Sequence, residues 1–145
     1  IEYKMNIEVK IIDSKADLES AFLIRKQVFV VEQGVSAEDE YDAFDATANQ
    51  FILNVNGGSI GTARWRKTEK GVKLERFAVL KEFRGKAYGQ HLLKGLLDSI
   101  PVGASMYLHA QLAAVSFYER EGFVKEGPIF YECDIAHYKM KKIKD

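Results

Sequence analysis

The sequence predicts an α+β fold: one mixed, mostly antiparallel twisted sheet of about six to seven strands, with helices packed on both faces. Three observations predict it. Residues 49–80 hold three strand-like segments joined by tight turns, the pattern of an antiparallel meander. Apolar residues at helical spacing flank that block on both sides, and two further strand-like segments close the chain.

Taken in order, Asn6 to Ile12 alternates, with Ile7, Val9 and Ile11 on one face and Glu8, Lys10 and Ile12 on the other, as in a half-buried strand. Ile1 to Lys4 belong to no pattern; Met5 is the expected native start, with the four residues before it foreign to the protein. Ser14 stands three residues before Asp17 in capping-box fashion, and Leu18, Ala21, Phe22, Arg25, Val28 and Phe29 extend a helix to Glu32, where Gly34 stops it. Val35 to Thr47 is acidic and irregular, a loop or short helix. Asn49 to Val55 then meets Asn56-Gly57, a pair suited to a hairpin turn that needs positive φ at both central residues. Ser59 to Arg66 and Val72 to Leu80 are the next two strands, joined around Glu69-Lys70-Gly71. Leu92, Leu93, Leu96, Leu97 and Ile100 recur at helical spacing from Tyr88, and Pro101 ends that helix. Met106 to Ala110 is a short strand, and Gln111 to Glu121 is a helix closed by Gly122. Phe123 to Tyr131 and Ile135 to Ile143 finish the chain as strands. With no repeat or linker between them, residues 1–145 are expected to form one domain.

Composition excludes several classes of function. The 21 Lys and Arg balance 21 Asp and Glu, so no global field exists to hold nucleic acid or an anionic membrane. No apolar run is long enough to span a bilayer, and no secretory leader is expected. Cys133 is the sole cysteine and cannot form an internal disulfide; a lone thiol suits a reducing compartment, so a cytoplasmic location is expected. No Cys/His spacing suits zinc, and the acidic stretch lacks the glycine and terminal glutamate of a calcium loop, so no metal is expected.

The most informative stretch runs from Leu74 to Gly89. A strand ends, a loop containing Gly85 and Gly89 follows, and an amphipathic helix begins. Glycine allows close backbone approach, and a helix start offers unpaired N–H groups with partial positive charge, an arrangement suited to pyrophosphate. Arg84 and Lys86 add charge beside it. An ordinary glycine-containing turn is the alternative reading. There is no GxxxxGK[ST] and no early GxGxxG, so neither a P-loop nor a dinucleotide fold is indicated.

Arg84-Gly85-Lys86-Ala87-Tyr88-Gly89 resembles the acyl-CoA loop [RQ]-x-x-[GA]-x-[GA] of the GCN5-related N-acetyltransferase (GNAT) superfamily. The segment Gln111 to Phe123 is similar to that family's N-x-x-A-x-x-F-Y-x-x-x-G-F, with Gln111 where Asn is usual. Leu23 to Val35, Leu108-His109-Ala110-Gln111 and His137-x-x-Met140 further resemble the small bacterial members of the YjcF/ElaA type. The resemblance spans Asn6 to Ile143 and implies the GNAT fold, acetyl-CoA as co-substrate, and an amine of a small molecule or peptide as acceptor. By the same analogy alone, a homodimer is an expected assembly. It implies that Phe77, Ala78, Val79, Arg84, Gly85, Lys86, Ala87, Tyr88, Gly89, Gln111, Phe117 and Tyr118 contact the cofactor.

Amide formation from an amine sets further demands. Freeing the lone pair of an amine of pKa near 10.4 at pH 7 costs about 4.6 kcal/mol. A base or water relay must take the proton, a backbone N–H around Ala78 to Leu80 must receive the oxyanion, and an acid must meet the departing thiolate. Tyr118, in the family's Phe-Tyr pair, is the expected acid; a buried core aromatic is its alternative. Glu75, His109 and His137 are the candidate bases, with Glu32 as a further choice. Their alternatives are a salt-bridged strand glutamate, a hydrogen-bonded core histidine, a surface strand histidine and a helix-end surface residue.

Glu38, Asp39, Glu40, Asp42 and Asp45 place five carboxylates in eight residues, expected as a solvated loop or as a lure for a cationic acceptor. The late lysines 139, 141, 142 and 144 read as a solvated edge strand. Direct transfer without a covalent acyl-enzyme is expected, since no nucleophile with an activating partner emerges. A non-catalytic acyl-CoA sensor or interaction module is the competing reading, because the loop would serve either role.

Overall fold

The computed structural model describes residues 5–145, so the expectation about Ile1 to Lys4 lies outside the described residues. Seven strands form one sheet in the order β1-β2-β3-β4-β5-β7-β6, where β1 is Ile7–Ile11, β2 Asn49–Val55, β3 Gly58–Thr68, β4 Gly71–Val79, β5 Ser105–Gln111, β6 Val124–Glu132 and β7 Ile135–Ile143. All neighbours pair antiparallel except β4 and β5, which run parallel. The helices are α1 (Lys15–Arg25), α2 (Ala37–Glu40), α3 (Tyr88–Asp98) and α4 (Val115–Glu119).

Local chemistry accounts for the turns and caps. The β2–β3 turn holds Asn56 and Gly57 at φ of 51° and 82°, the geometry that a two-residue hairpin of this hand requires. Ser14 accepts from the Asp17 N–H and Ser36 from the Asp39 N–H, so α1 and α2 each begin on a hydroxyl cap. Gly95 of α3 lies so close to β1 that a Cβ there would collide with the Val9 side chain.

Two apolar clusters sandwich the sheet. On one face Leu92, Leu93 and Leu96 of α3, with Tyr118 of α4, pack against Leu53, Leu74, Leu108 and Met140. On the other, Ala21 and Ile24 of α1, with Val28, cover Ile52 and Ala78. Burial of the Leu, Ile, Val and Met side chains among them contributes on the order of 1.5–3 kcal/mol each before entropy is counted.

Several expectations are corrected. The first helix does not run unbroken to Glu32: α1 ends at Arg25 and Lys26–Glu32 winds as a π-helix, where Val28, Val30 and Val31 crowd the tighter turn and Gly34 closes the run at φ 74°. Ile11 is 52% exposed, and Ile12 instead joins the second cluster. The helix expected over residues 111–121 shrinks to a 3-10 turn at Leu112–Ala114 followed by α4.

The acidic stretch is not a solvated loop. It folds as α2 and a 3-10 turn at Ala43–Ala46, and it turns carboxylates inward onto two arginines that are almost wholly buried. Arg25 donates to Glu40 at 2.5 Å and to Asp45 at 2.6 Å. Arg64 meets Asp42, Asp45 and Glu75 at 2.8, 2.7 and 3.0 Å. A guanidinium out of water demands such partners. This network seats the α2 segment beside β3 and β4, forming one wall of the cleft described next.

Candidate active site

β4 and β5 pair over only three positions, Val72–Met106, Lys73–Tyr107 and Leu74–Leu108. Beyond them the β3–β4 register slips and Arg76 takes φ 55°, a bulge that bends β4 away from β5. The strands open into a cleft of about 710 Å³. Glu75 to Val79 line one side and Leu108 to Gln111 the other.

The main chain of β4 presents polar groups to this opening. The Leu80 N–H donates to the Ile60 carbonyl of β3, so Leu80 is removed from the expected oxyanion donors. By strand alternation the neighbouring Val79 faces the cleft, and its carbonyl accepts from Arg84 Nε at 2.8 Å. Phe77, two residues earlier, faces the same side.

At one end lies the loop before α3. Gly85 has φ 76° and Ala87, the residue before the first turn of α3, has φ 65°, so both hold left-handed conformations. No side chain caps α3, whereas Ser14 and Ser36 cap α1 and α2. The free N–H groups of this start are left to a ligand. Gly89 faces the rings of Phe117 and Phe77; a Cβ there would already lie 3.5 Å from the Phe117 ring. Such a cradle fits a CoA diphosphate approached by backbone. Arg84 is held by a bidentate pair with Glu32, 2.9 Å on each nitrogen. The Tyr88 ring turns into the core against Phe83, so only its backbone belongs to the loop. Lys86 is exposed and does not line the cleft.

Phe77, Phe117 and Tyr118 form the cleft floor, with ring centroids 5.1–6.1 Å apart. Tyr118 is buried, and burial alone drives its phenol well above the ordinary range. The group is therefore a neutral donor at physiological pH. Every buried side-chain polar atom among the described residues has a partner, so the unpartnered Tyr118 hydroxyl is the part that reaches the cleft.

The candidate bases separate. Glu75 lines the cleft, but Arg64, Arg66 and Lys73 all approach its carboxylate within 3.2 Å. Burial pushes its pKa up, yet the hydrogen bond from Arg66 and the charges of Arg64 and Lys73 outweigh it, leaving the group below its usual range. A carboxylate so held is a poor proton acceptor. Glu32 is likewise tied to Arg84. His109 and His137 are brought together on one face: His109 Nδ1 meets Glu132 at 2.7 Å, His137 Nδ1 meets the Ile135 carbonyl at 2.6 Å, and Phe130 stands between their rings. Both line the cleft. Gln111 also faces it and bonds Gln33, which sequence reasoning missed.

Sequence reasoning also passed over Arg64 and Glu40 as cleft-shaping residues. The available signal was an arginine inside the apolar run Ile60–Trp65, next to carboxylates in surplus at residues 38–45.

The sheet split between two parallel strands, with an uncapped helix at its mouth, belongs to the acyl-CoA N-acyltransferase fold. Residues 15–144 match the acetyltransferase (GNAT) domain, and the chain belongs to that family. It is 35% identical to the uncharacterized protein YyaT of Bacillus subtilis over 94% of this chain and 95% of the relative. It is 33% identical to the uncharacterized N-acetyltransferase YjcF of the same organism, over 89% and 94%. Among solved structures, Escherichia coli ElaA superposes with a TM-score of 0.83 at 27% identity, covering 94% of this chain and 99% of that one. An acyl-CoA N-acyltransferase from Pseudomonas aeruginosa gives a TM-score of 0.80 at 25% identity over 96% and 99%. No described helix is long and apolar enough to cross a membrane, and no group of metal-ligating side chains occurs among the described residues.

Proposed function

We propose that the protein is an acetyl-CoA-dependent N-acetyltransferase that moves acetyl directly to an amine within a ternary complex. The observation that carries this reading is the opening between β4 and β5, with the uncapped start of α3 at one end and the Tyr118 hydroxyl on its floor. The backbone from Arg84 to Gly89 holds the diphosphate, and the acyl-pantetheine chain lies along β4, where the main-chain groups of Phe77 and Val79 face it. Acetyl-CoA brings the activated thioester.

The remaining work falls to the chain's own groups. The Val79 or Phe77 N–H receives the developing oxyanion. Tyr118 donates its phenolic hydrogen toward the departing sulfur. Its raised pKa makes it a weak acid, so it stabilises the accumulating thiolate charge through that hydrogen bond and gives up the proton only as the sulfur becomes the more basic of the two. The amine proton leaves through water toward His137 or the His109–Glu132 pair. Glu75 positions Arg64, Arg66 and Lys73 and takes no proton. The lone thiol Cys133 is consistent with a reducing cytoplasm.

The test is acceptor-dependent release of CoA thiol from acetyl-CoA, with a panel of amines against a no-acceptor blank. Release above the blank, with the acetylated amine identified by mass, supports the reading. Binding of acetyl-CoA with no release by any amine class overturns it in favour of a non-catalytic acyl-CoA sensor.

A further inference from the structure

A second cavity, of about 820 Å³, adjoins the acceptor end of the cleft and shares Lys73 and His109 with it. It is lined by Arg66, Lys67, Lys70, Lys73 and Lys139, against the single carboxylate of Glu69. Lys67 and Lys70 come from the end of β3 and the turn after it; strand register gathers the other three cations. Arg66 stands opposite Lys73, Lys73 beside Tyr107, and Lys139 opposite His109, so adjacent strands present them on one face of the sheet. The α1 helix packs over β2, β3 and β4 on this face and leaves β5 and β7 to the cavity.

The charges are under-compensated. Arg66 and Lys73 share Glu75, which already faces Arg64. Lys139 shares Glu126 with Lys141. Lys67 and Lys70 have no ion pair among the described residues. Polar anchors complete the wall: the Tyr107 hydroxyl lies 2.8 Å from Thr68 Oγ1, and the Lys139 ammonium stands 5.4 Å from the centre of the Tyr107 ring. The adjoining cleft carries the carboxylates of Asp39 and Glu132 on its wall, beside Arg76, which donates to the Asp39 carbonyl. Carboxylates are thus available in the cleft, and cations short of partners line the cavity beside it.

Resting on the N-acetyltransferase reading above, we propose that the acceptor is an amine whose far end bears an anionic group, a carboxylate or a phosphate, held in this basic cavity. The amine end lies among Asp39, Glu132 and His109 near the acyl carbon. Clustered cations of one sign raise the local concentration of such a molecule and fix its direction.

Two measurements test it, one of them independent of turnover. Inorganic phosphate titrated into 15N-labelled protein is expected to shift the amide resonances of Lys73, Tyr107 and His109. In the charge-reversed variant Lys67→Glu/Lys70→Glu those shifts should vanish, with the thermal midpoint kept as the check on folding. Absence of shifts at the cavity, or their persistence in the variant, overturns the proposal. In transfer assays 4-aminobutanoate, 3-aminopropyl phosphate and uncharged 4-aminobutanamide are compared. At least a tenfold lower KM for an anionic acceptor, lost in the variant with the KM for acetyl-CoA unchanged, supports the proposal. The ranking of the two anions identifies which group the cavity takes. Equal KM values for anion and amide overturn the acceptor class and leave N-acetyl transfer standing. No transfer to any amine, with phosphate still bound at the cavity, removes the transferase reading and this proposal with it.

Discussion

Gln33 and Gln111, 78 positions apart, exchange side-chain hydrogen bonds across the cleft, Gln111 donating at 2.9 Å and Gln33 at 3.2 Å. Gln33 follows the π-helix and Gln111 ends β5, so the pair ties the helical wall to the strand that diverges from β4. The wide turns of Lys26–Glu32 deliver both Glu32 and Gln33 to the cleft, the first onto Arg84 and the second onto Gln111.

Cutting this tie should speed ligand exit. A solvent-exposed hydrogen bond contributes about 1 kcal/mol, which corresponds to about fivefold in a rate. Gln33→Ala is expected to raise the dissociation rate of CoA about fivefold in stopped-flow experiments, with the unfolding midpoint little changed. An unaltered rate would show that the tie does not gate the cleft.

Tyr118→Phe removes only the hydroxyl from the cleft floor. Turnover is expected to fall about 100-fold or more, while the KM for acetyl-CoA stays within about twofold, since the loss is confined to the transition state. Steady-state kinetics decides it. Undiminished kcat would strip Tyr118 of the acid role.

The loop before α3 is testable by ligand-linked stability. Acetyl-CoA at 100 times its Kd stabilises by about 2.7 kcal/mol, a rise of about 2–8 °C in Tm for a chain of this size. Gly89→Val should abolish the rise, because its side chain would grow into the Phe117 and Phe77 rings. A full shift in that variant would move the cofactor elsewhere.

The buried arginines make a separate prediction. Arg64→Ala removes the buried guanidinium shared by Asp42, Asp45 and Glu75; each keeps another cation (Arg76, Arg25, and Arg66 with Lys73), so the cost is that of lost charged hydrogen bonds, about 1–3 kcal/mol. Urea denaturation should show a loss in that range. A loss below about 1 kcal/mol would mean that the network is dispensable.

The same network sets the response to acid. Burial raises the pKa of Asp42, Asp45 and Glu75, but their arginine and lysine partners outweigh it, so all three titrate below their ordinary values. Carboxylates lowered on folding contribute stability above their unfolded pKa, about 3.9 for Asp and 4.3 for Glu, and that stability is lost as pH falls through the folded values. Glu40 runs the other way: burial outweighs Arg25 and raises it, so its contribution is present below about 4.3 and is lost as pH rises through its higher folded value. Three groups oppose one, and the urea midpoint is expected to drop as pH is lowered from 5 to 3. A flat profile would contradict the assignment.

Much of this was legible in the sequence, for physical reasons. The Asn56-Gly57 turn, the three strands of the meander around it and Gly85 before α3 are local properties of the chain, and they stand where the local sequence puts them. The network of Arg25 and Arg64 was not legible, because it joins residues distant in the chain whose charges cancel only in space. For the same reason residues 38–45 read as a solvated run. Glu75 as a base could be weighed only once Arg64, Arg66 and Lys73 were seen around it. The π-turns of residues 26–32 leave no periodic trace that separates them from the α-helix before them.

The splayed strands also bear on how the protein avoids its own kind. Where β4 leaves β5, backbone groups such as those of Val79 lose their strand partner in the middle of the sheet, the sort of hydrogen-bonding frontier that elsewhere recruits foreign strands. This frontier is a wedge. At its vertex the strands stand at the ordinary spacing of about 4.8 Å, and a guest strand needs about twice that. A slim, flexible chain can slide in where a second polypeptide cannot. The unpaired capacity of the sheet is thus stored where aggregation cannot reach it, and the risk of unwanted pairing falls on the outer margins, β1 and β6.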